Sequence, residues 1–446
     1  MMLTKNRVKS WAIIAPHILV SVLLGTNVVH AQGPSDWSKL PSKTVTLFYP
    51  GQSSYQWLRS PKHKRANKQV RKGEACVSCH EGEELDIGTV IVSGKKLEPH
   101  PQIGKPAIID LSVKVAYDEK NVYFQFKWKT ANPYPGIAHP HWQYDGSQWQ
   151  PLGWPRLHKK VWQDGQPPIY EDRFSMMIDD GSVPMFAEQG CWLSCHTAMR
   201  DMPEVANKQD VKAHSLLGGK LRKKDVRKYL PSSRADKDLS WDQLQSNNMI
   251  AQLKEENGFA DLMQWRAHRS RPIGMADDGY VLEYRLTDAG KNIFSKNWDK
   301  SRNLPKYMFD KSIVGFRSRT LNQIRDLTLP SSLVVDENAI VFDPEVQWEK
   351  GEMIPEYFLS RTMAEGSAAD NSMVLANWEA GYWTIEWQRK MDTGHPGDDK
   401  ILKEGKSYTF GFAVHDDNIT TRGHHVSFPI SVGFGVKAKI EAIKVN

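Results

Sequence analysis

All four cysteines of this 446-residue chain fall into two short patterns, each closed by a histidine. Cys76-Val77-Ser78-Cys79-His80 is a C-x-x-C-H run, the attachment signature of a c-type haem. Cys191-Trp192-Leu193-Ser194-Cys195-His196 repeats the device with one more spacer residue. The chemistry explains the pattern: two thiols add to the two vinyl groups of a haem, and the adjoining imidazole takes an axial position on iron. The primary reading is therefore two covalently attached haems c. Cys76, Cys79, Cys191 and Cys195 are the tethers, and His80 and His196 the proximal ligands. Four cysteines also suit two disulfides in an exported chain, or zinc held tetrahedrally by Cys and His, and both uses stay open at this level.

The N-terminus points to the compartment in which such attachment happens. Lys5, Arg7 and Lys9 precede the apolar stretch from Trp11 to Leu24, and Val29-His30-Ala31 offers small residues around a cleavage point. That layout predicts a signal peptide over residues 1–31 and a periplasmic protein. Pro16 and His17 interrupt the apolar run, which is short for a membrane span, and no later segment is apolar enough to cross a bilayer. The formal charge of +7 drops with the three basic residues of the signal, and haem propionates would reduce it further. No nucleic-acid-binding motif accompanies the basic balance, so nucleic acid is not expected as a partner.

Residues 32–105 are polar, rich in Pro, Gly and Lys, and show no long periodicity, which suggests a small irregular segment folded around the first haem. From residue 106 the pattern becomes strict alternation. Leu111, Val113, Val115 and Tyr117 are followed, after Asp118-Glu119-Lys120-Asn121, by Val122, Phe124, Phe126 and Trp128, which reads as a β-hairpin. Further alternating runs cover Phe174 to Ile178, Tyr280 to Leu286, Trp383 to Trp387, Tyr408 to Val414 and Val426 to Phe434. The expected fold is mainly β, an antiparallel sandwich over residues 106–446 with a helical and loop insertion at about 200–270. The basic cluster Lys220, Arg222, Lys223, Lys224, Arg227 and Lys228 in that insertion reads as a solvated face, or else as a docking surface for an acidic redox partner.

The order of these elements resembles a known family. Glu171-Asp172-Arg173-Phe174-Ser175-Met176-Met177 leads into the second cysteine motif, followed by Trp265-Arg266-Ala267, Arg269-Ser270, His415-Asp416-Asp417 and Arg422-Gly423-His424-His425. The series is similar to the ethylbenzene dehydrogenase and DMSO reductase-like haem-binding domains, in an exported dihaem branch. The resemblance implies a DOMON-like β-sandwich with haem at one end. It also implies electron exchange with redox proteins, a molybdenum oxidoreductase or a quinol-linked cytochrome being the partner classes. Members of that family hold haem b non-covalently between a Met and a Lys, so their ligand pair does not transfer directly to a chain with cysteine tethers.

The distal ligands follow residue by residue. The resemblance places the family's Met ligand in the strand Asp172–Met177, so Met176 or Met177 is a candidate for the second haem, with Met177 the one committed to; alternation puts the two on opposite faces, so at most one of them faces it. His424 and His425 enter the last long strand, where one of the pair would face iron and the other solvent; His415 is a further candidate. His63, 13 residues before Cys76, is the candidate second ligand of the first haem, and the histidines of Gly136–Trp142 read as surface-loop residues, with ligation of the first haem as their alternative use. A haem ligated on both sides has no open position and moves electrons only. An electron carrier without catalytic residues is therefore the expected function. A dihaem peroxidase is the alternative among enzymes, against which the strands argue, and a haem-based ligand sensor is the alternative among binding proteins.

Overall fold

The computed structural model describes residues 33–98, 100–195, 206–221, 226, 228–287, 293–364, 372–420 and 423–445. The predicted signal segment lies outside this set, as do His196 and Arg422. Thirteen strands among the described residues join in one sheet. The first four are β1 (Lys43–Phe48), β2 (Ile108–Tyr117), β3 (Asn121–Lys129) and β4 (Arg173–Asp179). Next come β5 (Ala260–Arg266), β6 (Gly279–Val281), β7 (Arg285–Thr287), β8 (Ser372–Glu379) and β9 (Tyr382–Lys390). The last four are β10 (Lys406–His415), β11 (His425–Val426), β12 (Ile430–Phe434) and β13 (Ile440–Lys444).

The sheet order is β8-β9-β3-β2-β1-β11-β10-β4-β5-β6-β7. β12 leaves this path to pair with β10 and β13, and β13 pairs with β2. Strands β1, β2, β13, β12, β10 and β11 therefore close a six-stranded ring. The mainly β character expected from alternation holds, but the two layers of the expected sandwich are one continuous sheet. Two parallel pairings, β2–β13 and β12–β13, make the closure and remove edges that would otherwise stay open. The inward faces supply Val113, Phe124, Phe126, Phe174, Met176, Trp383, Trp387, Phe410 and Phe412 to one buried cluster. Each such side chain contributes about 1.5–3 kcal/mol by leaving water.

Three departures from simple alternation have local causes. The run Val426 to Phe434 breaks at Ser427–Pro429, because Pro429 has no N–H to give to a ladder. The run Tyr280 to Leu286 folds back on itself, β6 pairing β7 with Val281 opposite Arg285. The segment before residue 106 is not merely irregular: β1 pairs with β2 and β11 inside the ring. Short helices Tyr55–Arg59, Asn67–Arg71, Val77–His80 and Glu84–Val92 follow β1. The insertion carries helices Lys208–Ala213 and Asn247–Glu255, and ends where β5 rejoins the sheet.

A second apolar cluster lies outside the sheet, around Trp142, Phe309, Leu333, Phe342, Ile354 and Phe358. It is wrapped by strands of two to four residues, too short to carry a readable period. Between it and the sheet runs a buried polar layer built from the motif residues. The Glu171 carboxylate accepts from the backbone N–H groups of His268 and Arg269, each at 3.0 Å, and pairs with Arg269 Nη2 at 2.6 Å. Burial alone would raise this carboxyl, but Arg269 and Arg173 hold it down at about 2. His139 and His141, expected on a surface loop, are buried here beside His268, their rings 6.2 and 5.9 Å from its ring.

Burial holds all three imidazoles below the ordinary histidine range, His268 at about 4. The fold thus favours their neutral forms, a contribution fully present above pH about 6.5 and lost as the pH falls toward 4. Asp172, raised to about 7 by burial and by Asp416, titrates in the opposite sense. The histidine contribution is therefore read by difference. The denaturant midpoint of His268→Gln should fall less steeply than that of wild type between pH 6.5 and 4, and parallel curves would exclude a titrating His268.

Candidate haem-binding sites

The first cysteine motif caps and forms a single helical turn, Val77–His80, with Cys76 at its start. Cys76, Cys79 and His80 border a largely apolar cavity of about 360 Å³, closed on its other sides by Phe48, His63, Ile87 and Trp192, among others. That volume is in the range of pockets for small organic ligands, roughly 300–1,000 Å³. Burial pushes the Cys76 thiol up to about 11, so it stays protonated there.

Across this cavity the His63 and His80 rings face each other, centroids 6.3 Å apart and planes within 17°. Two imidazoles bound through one nitrogen each, at about 2 Å on opposite sides of a metal, have ring centres roughly 6 Å apart. Both rings are anchored at Nδ1. His63 Nδ1 lies 3.0 Å from the Leu58 carbonyl, and His80 Nδ1 lies 2.8 Å from Glu83 Oε2. A carbonyl can only accept, so His63 carries its proton on Nδ1 and leaves Nε2 with a lone pair, as metal-binding histidines do. Burial lowers the pKa of His63, which keeps the ring neutral. The turn that presents His63 is strained: Lys64, next in the chain, has φ 44°. Trp57 packs beside His63 at 5.2 Å between ring centres.

The second motif sits against the outer face of the sheet. Alternation sorts the residues there. Met176 enters the core, whereas Met177 borders a narrow cavity of about 80 Å³ together with Arg173, Cys191, Lys228, His415 and His424. Cys191 presses on β10 at Gly411, where an added Cβ would come within 2.5 Å of its Sγ. Burial raises the Cys191 thiol to about 11. Cys195 Sγ accepts from Lys228 Nζ at 3.3 Å, so Lys228 is no solvated member of a basic cluster. His415 and His424 stack at 4.5 Å with planes 14° apart, and burial, then His424 and Arg173, lower His415 well below the ordinary range. Rings that close cannot hold one metal between them.

His425 turns the other way. Its Nε2 donates to the Pro106 carbonyl at 2.9 Å, and its ring lies 5.9 Å from Tyr49. It is buried rather than facing solvent as expected, because the strand next to it is covered by the segment around Lys105. The structure thus brings Cys191, Met177 and His424 to one cavity, holds Cys195 against its lining residue Lys228, and leaves His425 out of it. His196 lies outside the described residues. The donor set fits a haem: two thiols, neutral imidazole, thioether, and the cations Arg173 and Lys228 that suit carboxylate groups. The cavity is narrower than a small-molecule pocket, and residues 196–205 and 222–225, adjacent to it in sequence, are outside the described set. Lys228 was read from sequence only as part of a basic cluster, and Trp192 only as a spacer within the second motif, since neither stands at a spacing that marks a ligand.

The family model described as ethylbenzene dehydrogenase matches residues 35–427. The chain belongs to that family. It is 27% identical over 425 residues to "Cytochrome c-552" of Stutzerimonas stutzeri, a match that covers 95% of each chain. A shorter match, 29% identical over 173 residues, links 38% of this chain to 58% of "Cytochrome c-551" of Rhodocyclus tenuis.

The contact at Gly411 gives a direct test of the second site. Gly411→Ala forces Cys191 or β10 to move and should cost about 1–3 kcal/mol, read as a drop in the denaturant midpoint. A midpoint equal to wild type would mean that Cys191 does not pack on β10.

Proposed function

We propose that this protein is an exported dihaem c-type cytochrome that carries electrons between redox proteins. The observation that carries the reading is the facing pair His63 and His80, 6.3 Å apart across a cavity bordered by both thiols of a C-x-x-C-H motif. The cytochrome c names of the two relatives support it. Cys76 and Cys79 tether the first haem, and His63 and His80 are its axial ligands. Cys191 and Cys195 tether the second, with His196 as proximal ligand by position in the motif and His424 or Met177 from the facing wall. The haem supplies a one-electron couple at iron; the chain's part is to hold it, fill its axial positions and keep water away.

The residues around each site fit that division. Anchoring at Nδ1 fixes the orientation of His63 and His80 and makes each a better donor at Nε2. With both axial positions taken, iron has no place for substrate, which favours electron carriage over peroxidase or sensor chemistry. Arg173 and Lys228 beside the second cavity are placed to neutralise propionates in a region where unpaired charge would be costly. The signal-like N-terminus fits attachment outside the cytoplasm. Donor and acceptor are redox proteins of the classes named above, and the exposed Cys79 gives the first site a solvent-facing side.

Two measurements test the assignment. The intact mass of the exported protein, denatured and reduced, should show two haems added, and a single haem would leave the second motif without its cofactor. His63→Ala should then convert one haem from low-spin to high-spin in the optical spectrum, with the mass unchanged. A spectrum identical to wild type would remove His63 from the iron.

A further inference from the structure

Trp192 lines the first cavity and packs on residues that line the second. Its neighbours in the second motif, Cys191 and Cys195, are the tethers proposed for the second haem, and Cys191 borders that cavity. Its own side chain lines the first cavity. The indole stacks on Phe48, centroids 5.5 Å apart and planes within 23°, and Phe48 in turn meets Phe428 at 4.9 Å. These three rings pack in one cluster with Ala413 and Val426, which line the second cavity. The rings that line the first cavity thus pack directly against side chains that line the second.

Hydrogen bonds fix the two motifs to each other. The Cys76 N–H donates to the Glu188 carbonyl at 3.1 Å, just before the second motif. The Gln189 side-chain amide donates to the Val70 carbonyl at 2.9 Å, and the Tyr55 N–H donates to the Cys195 carbonyl. The Trp192 Nε1–H is buried with no partner among the described residues, an omission that costs about 1–3 kcal/mol unless an acceptor on a bound group meets it.

We propose that Trp192 is the electronic bridge between the two haem sites. The proposal rests on the dihaem reading. In the step it serves, one electron leaves the iron of one haem and enters the iron of the other. One ferrous centre becomes ferric and one ferric centre ferrous, with no bond made or broken and no proton moved. The indole is not itself oxidised; it fills the gap with closely packed π-electron density where an aliphatic side chain or water would leave a poorer path.

The test uses the full-length holoprotein, after its mass has established two haems. A fast one-electron reductant loads one haem, and redistribution between the two is followed optically. Trp192→Leu should slow redistribution severalfold with both haems still present by mass, a slowing larger than any shift in the measured midpoint potentials accounts for. Trp192→Phe, which keeps a ring in the stack, should recover most of the rate. Phe48→Leu opens the same stack from the other side and should also slow it, which decides the matter if Trp192→Leu fails to fold. Trp57→Leu lines the same first cavity outside that stack and should alter the first haem's spectrum with the redistribution rate kept. Wild-type rates in Trp192→Leu, or in Phe48→Leu where the former does not fold, overturn the bridge. A wild-type mass with one haem overturns the dihaem reading instead.

Discussion

In the adjacent strands β4 and β10, neighbouring side chains leave the sheet in opposite directions, and both the core and the second site depend on this. Phe174, Met176 and Ile178 of β4 meet Phe410, Phe412 and Val414 of β10 inside the sheet. Arg173, Ser175 and Met177 meet Gly411, Ala413 and His415 outside it. A shift of register by one residue would put arginine and histidine into the apolar interior, at a cost of several kcal/mol for each buried charge. The core therefore fixes which residues face the cysteine motif, and the site needs no separate device to select Met177 over Met176.

The first site obeys a different logic. Its helices span four to nine residues, too short to persist alone in water, and so depend on what they pack against. One side of that support is the ring strand β1, through Phe48, and another is Trp192 from the second motif. The strained turn at Lys64 is the kind of backbone cost that a fold keeps where a side chain must point in one direction, here His63 toward His80. The two sites are thus unequal. The second is carried by the sheet, while the first is carried by side-chain contacts between segments far apart in sequence.

What could be read from the sequence tracks this inequality. Regular strands are local and periodic, so β2, β3, β4, β9 and β10 were legible from alternation, and the two cysteine motifs from spacing alone. His63 could be named only because few imidazoles stand near the first motif; its opposition to His80 is a tertiary fact. Closure of the sheet through β12 and β13 was not legible, since parallel pairing between short strands leaves no mark in alternation. The burial of His139 and His141 was also hidden, because the layer that covers them is made of strands of two to four residues. The motif Glu171-Asp172-Arg173 marked the family, yet Glu171 and Asp172 serve the polar layer beneath the second cluster rather than the cavity.

One two-residue strand ties these levels together. In β11, Val426 stands opposite Phe48 of β1 on one side and Ala413 of β10 on the other, so it closes the ring and packs the lining of the second cavity against the rings that line the first. Its neighbours are sorted by the same pairing: His424 is directed to the second cavity, and His425 to the carbonyl of Pro106. Because period two leaves no intermediate position, closing the ring in another register would exchange the two histidines and withdraw Val426 from that contact. Sheet closure, the choice of histidine at the second site and the packing behind Trp192 are consequences of one pairing.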